Sequence, residues 1–153
     1  MLHVKKNASA FTLIELLVVV IIVAVLASVG IPLLSASIDR AKTSEAEAGL
    51  GTVRTGLRAY FAEHGNYPTA SSGDQPTSAA LSPFTGVKSG DLTGRFFEDD
   101  DYTYTSAAGA TYCIKVVGDA TGAAQRSGAG LQRSMSELGN LYSGTDCSTG
   151  LLN

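Results

Sequence analysis

From Leu16 to Leu34 the chain carries no charged residue, and the apolar run opens earlier still, at Phe11. Such a stretch chooses its surroundings before the rest of the chain has any say. As a helix, residues 11–34 span about 36 Å at 1.5 Å per residue. A bilayer core is about 30 Å thick, so the segment is long enough to cross it. Lys5 and Lys6 flank it on the N-terminal side, and a basic flank stays in the cytoplasm. The pattern predicts one membrane span with its N-terminus in the cytoplasm and everything beyond Leu34 exported.

Two residues do not suit a plain anchor. Glu15 sits within the apolar stretch, where a carboxylate is costly and marks a partner or a function. Gly30 and Pro32 lie near its far end; proline removes a helical hydrogen bond, so a kink is expected there. An ordinary secretory signal peptide is the plainer alternative, with its basic start and small residues Ala27 and Ser28. Its apolar region would be unusually long, however. The Ala8-Ser9-Ala10 triplet, which has the form of a signal-peptidase site, precedes the apolar run instead of following it.

Ala10-Phe11-Thr12-Leu13-Ile14-Glu15-Leu16, followed by the long apolar helix with Pro32, resembles the prepilin signature of type IV pilins and type II secretion pseudopilins. The resemblance implies that a membrane-embedded prepilin peptidase cuts between Ala10 and Phe11 and that Phe11 is then N-methylated. Glycine usually precedes the cut in that family; Ala10 stands there in this chain. It also implies that Glu15 serves assembly. The new amine of Phe11 would lie in an apolar setting, and a carboxylate from a neighbouring subunit would neutralise it. Either charge alone is expensive there, whereas the pair is tolerable. The implied partners are further copies of the chain in a homopolymer, the peptidase, an inner-membrane assembly platform, and the membrane itself before assembly.

Beyond Leu34, Ala46, Leu50, Val53, Leu57 and Tyr60 recur at helical spacing, which is the stripe of an amphipathic helix. Helix is expected from near Phe11 to about His64, with Gly65 and Asn66 as a C-cap and Pro68 as a stop. The ending of this helix also resembles the family's. Gly49, Gly51 and Gly56 each weaken the helix by about 1 kcal/mol relative to Ala. Close packing and flexibility both remain open as their purpose.

Residues 69–90 read as a connecting loop. Asp101–Ser106 and Thr111–Val117 alternate as strands, joined through Ala107–Ala110 as a hairpin. Phe96 and Phe97 begin another strand or pack beneath the sheet, residues 118–130 read as loop, and Leu131, Met135 and Leu138 suggest a helical turn or an edge segment. The expected fold is α+β: a long N-terminal helical spine, transmembrane then amphipathic, packed on a small antiparallel sheet. Its parts are a leader (1–10), a membrane or filament-core helix (11–34), an amphipathic helix (35–64) and a head (65–153).

Cys113 and Cys147 are the two cysteines. They are too far apart for CxxC chemistry, and an even pair in an exported domain reads as one disulfide, with two reduced thiols as the alternative. The acidic run Glu98-Asp99-Asp100-Asp101 reads as a solvated turn in preference to a calcium site, because it lacks spaced ligands. No cofactor is called for. Motifs for nucleophilic, phosphate or zinc chemistry are missing from the sequence, so an enzyme is not expected.

Net charge is −3, and without the leader lysines 9 basic side chains face 14 acidic ones. An acidic head disfavours nucleic acid as a partner, and with it a minor pilin that captures DNA. The preferred expectation is a pilin of an extracellular type IV pilus-like filament. A periplasmic pseudopilin is the alternative, though the major pseudopilins it would resemble carry a Pro-Trp-Gly type motif and this chain has no Trp.

Overall fold

The computed structural model describes residues 11–70, 73–118, 130–148 and 150–152. The first element, α1 (Leu13–His64), is a 52-residue helix with Pro32 inside it. By its contacts the chain divides into two units, one ending at Asp39 and the other beginning at Arg40. In the first, the apolar side chains that follow Phe11 are exposed. The second is the α+β head.

In the head, α1 turns its stripe inward as the spacing requires: Ala46, Leu50, Val53 and Leu57 are all fully buried. Gly65 ends the helix in the left-handed region (φ 73°), its N–H donating to the Phe61 carbonyl at 2.8 Å. Glycine reaches that conformation without a Cβ penalty. The turn that follows also ties the helix to the sheet. The Tyr67 N–H donates to the Gly109 carbonyl at 2.8 Å, and the Tyr104 hydroxyl donates to the Pro68 carbonyl at 2.8 Å.

Four antiparallel strands follow in the order β1 (Tyr102–Ala107), β2 (Thr111–Val117), β3 (Gln132–Ser136) and β4 (Leu141–Ser143). Tyr102, Tyr104, Tyr112, Ile114 and Val116 are buried. They alternate along β1 and β2 in matching register, Tyr102 opposite Val116 and Tyr104 opposite Ile114. This is the strand period of two, with one face against the core. Ala108 and Gly109 close the hairpin with positive φ of 50° and 75°.

The segment after Met135 departs from the sequence-based reading. It is neither a helical turn nor an edge: β3 runs inside the sheet, between β2 and β4. Its spacing misled because β3 buries serines. Ser134 is fully buried and donates to the Asp146 carbonyl at 3.0 Å, so a polar residue occupies a position that a hydrophobic pattern would reserve for an apolar one.

The connecting region is also more ordered than a plain loop. It contains a one-turn helix, α2 (Ser82–Thr85), and it buries Leu81, Thr85 and Val87. The Thr85 hydroxyl donates to the Pro76 carbonyl at 2.9 Å. Two of the helix glycines exist for close packing. A Cβ on Gly56 would collide with the Thr85 carbonyl, and one on Gly49 with the Tyr102 ring, whereas one on Gly51 would meet nothing within 4 Å.

Phe96 and Phe97 pack beneath the sheet without forming a strand, and both are buried. The acidic run that follows serves as a set of caps. Asp99–Asp101 form a 3-10 turn. The Glu98 N–H donates to the Asp101 carboxylate at 2.8 Å, and Asp99 accepts the N–H groups of Gly90 and Leu92. Cys113 and Cys147 form a disulfide with a Cα–Cα distance of 5.8 Å.

Candidate assembly site at the start of the long helix

A helix begins with backbone N–H groups that lack a partner within it, and in an apolar setting each one is costly. Here Thr12 and Glu15 answer that need together. The Thr12 N–H and the Thr12 hydroxyl both donate to Glu15 Oε2 at 2.9 Å. In return the Glu15 N–H donates to Thr12 Oγ1 at 3.3 Å. The arrangement is a reciprocal capping box, in which a Thr at the N-cap and a Glu three residues on satisfy each other's backbone. A carboxylate at this end also suits the positive pole of the helix dipole.

Around this box the surface is apolar. Phe11, Ile14, Glu15, Val18 and Val19 line a shallow groove of about 420 Å³. Phe11 and Leu13 are each 84% exposed. Further along, an 18-residue window reaches a mean hydropathy of 3.0 with none of it buried within the chain. Apolar area loses about 25 cal/mol per Å² when left in water. A surface of this length and composition therefore belongs in lipid or against other protein. Glu15 is the charged side chain embedded in it, held by Thr12 so that its carboxylate lies back toward Phe11 and the start of the chain.

Of the residues singled out from sequence, Phe11 and Glu15 line the same groove. Ala10 and the leader lysines lie outside the described residues. Gly30 and Pro32 stand within α1, and the Ser35 hydroxyl donates to the Pro32 carbonyl at 2.9 Å. Thr12 was missed as a functional side chain, although its signal was present in the Thr-x-x-Glu spacing of Thr12 and Glu15.

Residues 5–31 match the family described as the prokaryotic N-terminal methylation motif. The start of the chain thus carries the N-terminal signature of that family. The match spans the basic flank, the capping box and most of the apolar run. The exposed apolar helix fits a membrane-anchored subunit.

A curated relative, the type II secretion system core protein G of Aeromonas hydrophila, is 31% identical over 80 residues. That alignment covers 49% of this chain and 56% of the relative, so the chain spans about half of the relative's length.

Proposed function

We propose that the chain is a structural filament subunit, a pilin of a type IV pilus-like extracellular filament, and not an enzyme. The observation that carries this reading is the unburied apolar helix with Glu15 near its start. In this reading the chain waits in the inner membrane, single-pass with its N-terminus in the cytoplasm. Prepilin peptidase cuts between Ala10 and Phe11, and Phe11 is N-methylated. The positive amine then pairs with a Glu15 carboxylate of a neighbouring copy as the apolar helices move from lipid into a bundle. Only a processed subunit has that amine, so cleavage licenses assembly. Gly30 and Pro32 give the helix a place to bend or loosen while neighbours repack.

A second reading is favoured by the relative from a type II secretion system: a pseudopilin of a short periplasmic filament. Both readings use the same helix and the same charge pair. They differ in where the filament ends.

Intact-mass and N-terminal analysis of the sheared surface fraction of the native cells separates them. An abundant species beginning at N-methyl-Phe11 is expected there for an extracellular pilus. The same trimmed species confined to the cell envelope moves the conclusion to the pseudopilin. A start at Met1, or one beyond Leu34, overturns both readings.

A further inference from the structure

The last turns of α1 and the turn between β3 and β4 enclose a groove of about 430 Å³, whose walls include Arg54, Arg58, Phe61, Tyr67, Glu137 and Leu138. Phe61 and Leu138 are 40% and 73% exposed, so apolar surface surrounds the charges. Arg54 is engaged within the head, its Nη2 donating to the Leu138 carbonyl at 3.1 Å. Arg58 is exposed. Two guanidinium groups against the carboxylate of Glu137 leave the groove positive, on a chain that is acidic as a whole.

The opposite end of the head carries the opposite charge. Glu45 holds the backbone of Phe96 and Phe97, and Tyr102 lies against Gly49. The acidic run between them therefore sits level with residues 45–49 of α1. Arg58 lies about 20 Å further along the helix than Glu45, at 1.5 Å per residue. Asp91 and the four acids of the run outnumber Lys88 and Arg95 beside them. Asp99 and Asp101 are engaged by backbone N–H groups, while Asp100 is exposed.

We propose that the groove of one copy receives the acidic turn of a second copy, with Arg58 paired to Asp100. The inference rests on the filament-subunit reading above. In such a filament every copy stands in the same sense, so the groove end of one head faces the acidic end of another. A contact between two different patches repeats without closing on itself and so extends an open filament. Two grooves set face to face would bring arginine against arginine, which disfavours a closed dimer. Charge complementarity across the contact fixes the register of one head on the next, and the rim of Phe61 and Leu138 keeps water away from the pair.

The test uses the full-length chain in its native cells. Arg58→Glu and Asp100→Arg should each lower filament yield at least about tenfold, because each sets like charges together. Trimmed protein in the membrane should stay at the wild-type level, and the double variant should recover most of the lost yield. Crosslinking supplies a measurement independent of yield. Arg58→Cys and Asp100→Cys in one chain should give a ladder of multimers on mild oxidation, which neither cysteine gives alone. Wild-type yield from either charge-reversed variant, a double variant no better than its parents, or no ladder overturns the contact. So does crosslinking of Arg58→Cys copies to one another, which would make the groove face itself. Any of these results alongside wild-type filaments leaves the subunit reading standing. A wild type that forms filaments neither at the surface nor in the envelope overturns that reading and the contact together.

Discussion

The Glu45 carboxylate of α1 accepts the backbone N–H of Phe97 at 2.9 Å, and the same oxygen accepts that of Phe96 at 2.7 Å. One side chain on the helix thereby fixes a loop 51 and 52 residues further along. Gly94 makes room for it, because a Cβ there would run into the Glu45 carboxylate. The two phenylalanines can pack under the sheet because their backbone donors are satisfied on the way in.

Glu45→Ala should therefore destabilise the head by about 2–4 kcal/mol, since it leaves two part-buried donors unpaired. Glu45→Gln keeps an acceptor and should lose less than half as much. Denaturant unfolding of both variants, followed by the near-UV signal of the head's tyrosines, checks this. Equal stability of wild type and Glu45→Ala would refute the anchoring role.

Two of the helix glycines, Gly51 and Gly56, should respond to alanine in opposite directions. Gly51→Ala meets open space and should stabilise the unassembled chain by up to about 1 kcal/mol through helix propensity. Gly56→Ala gains the same propensity but drives a methyl into the Thr85 carbonyl, so it should be destabilising overall. Melting curves of the two variants side by side give the sign directly.

At the start of α1, Glu15→Ala should leave cleavage and N-methylation intact while filament yield collapses. Thr12→Val should retain the charge of Glu15 but lose the box that orients it, a change of about 0.5–2 kcal/mol in helix capping. Its filament yield should fall between wild type and Glu15→Ala. Mass spectrometry reports processing, and sheared-filament yield reports assembly. Normal yield from Glu15→Ala would count against the charge-pair account.

The buried tyrosines set an alkaline limit on the head. Burial pushes the Tyr104 phenol up to about 12, and it raises Tyr102 and Tyr112 as well, with Glu45 adding to the rise at Tyr102. Their unfolded-state value is near 10. Between about pH 10 and 12 the unfolded chain ionises first and binds fewer protons than the native one, so stability falls as pH rises. Below about pH 10 these tyrosines contribute no slope. Phenolate absorbance should appear together with loss of near-UV circular dichroism. A gradual titration within an intact fold would contradict this.

Much of the head was readable from alternation alone. β2 lies at Thr111–Val117 as its pattern indicated, because Tyr112, Ile114 and Val116 are apolar and alternate with residues that need no burial. Strand β3 was not readable. Ser134 and Ser136 are buried there, Ser134 donating a hydrogen bond to the Asp146 carbonyl of the C-terminal segment, and a buried serine leaves no hydrophobic signal. Thr12 was readable in principle, since its partner is three residues away. Glu45 was not, since its partners lie in a distant loop and nothing local distinguishes it from Glu47.

The N-terminal half of the chain states its own requirements. An uncharged apolar run with one early carboxylate demands lipid or like helices around it, whatever the head does, because the cost of hydrating it is local and additive along the run. Helix limits, the hairpin and the cap at Gly65 likewise follow from short-range spacing and backbone preference. Tertiary structure decided the rest. It determined that Gly49 and Gly56 are for close approach while Gly51 is not, that the acidic run caps turns, and that Glu45 meets the backbone of Phe96 and Phe97. Each of these depends on which distant backbone atoms come together, and that is settled only when the whole core closes.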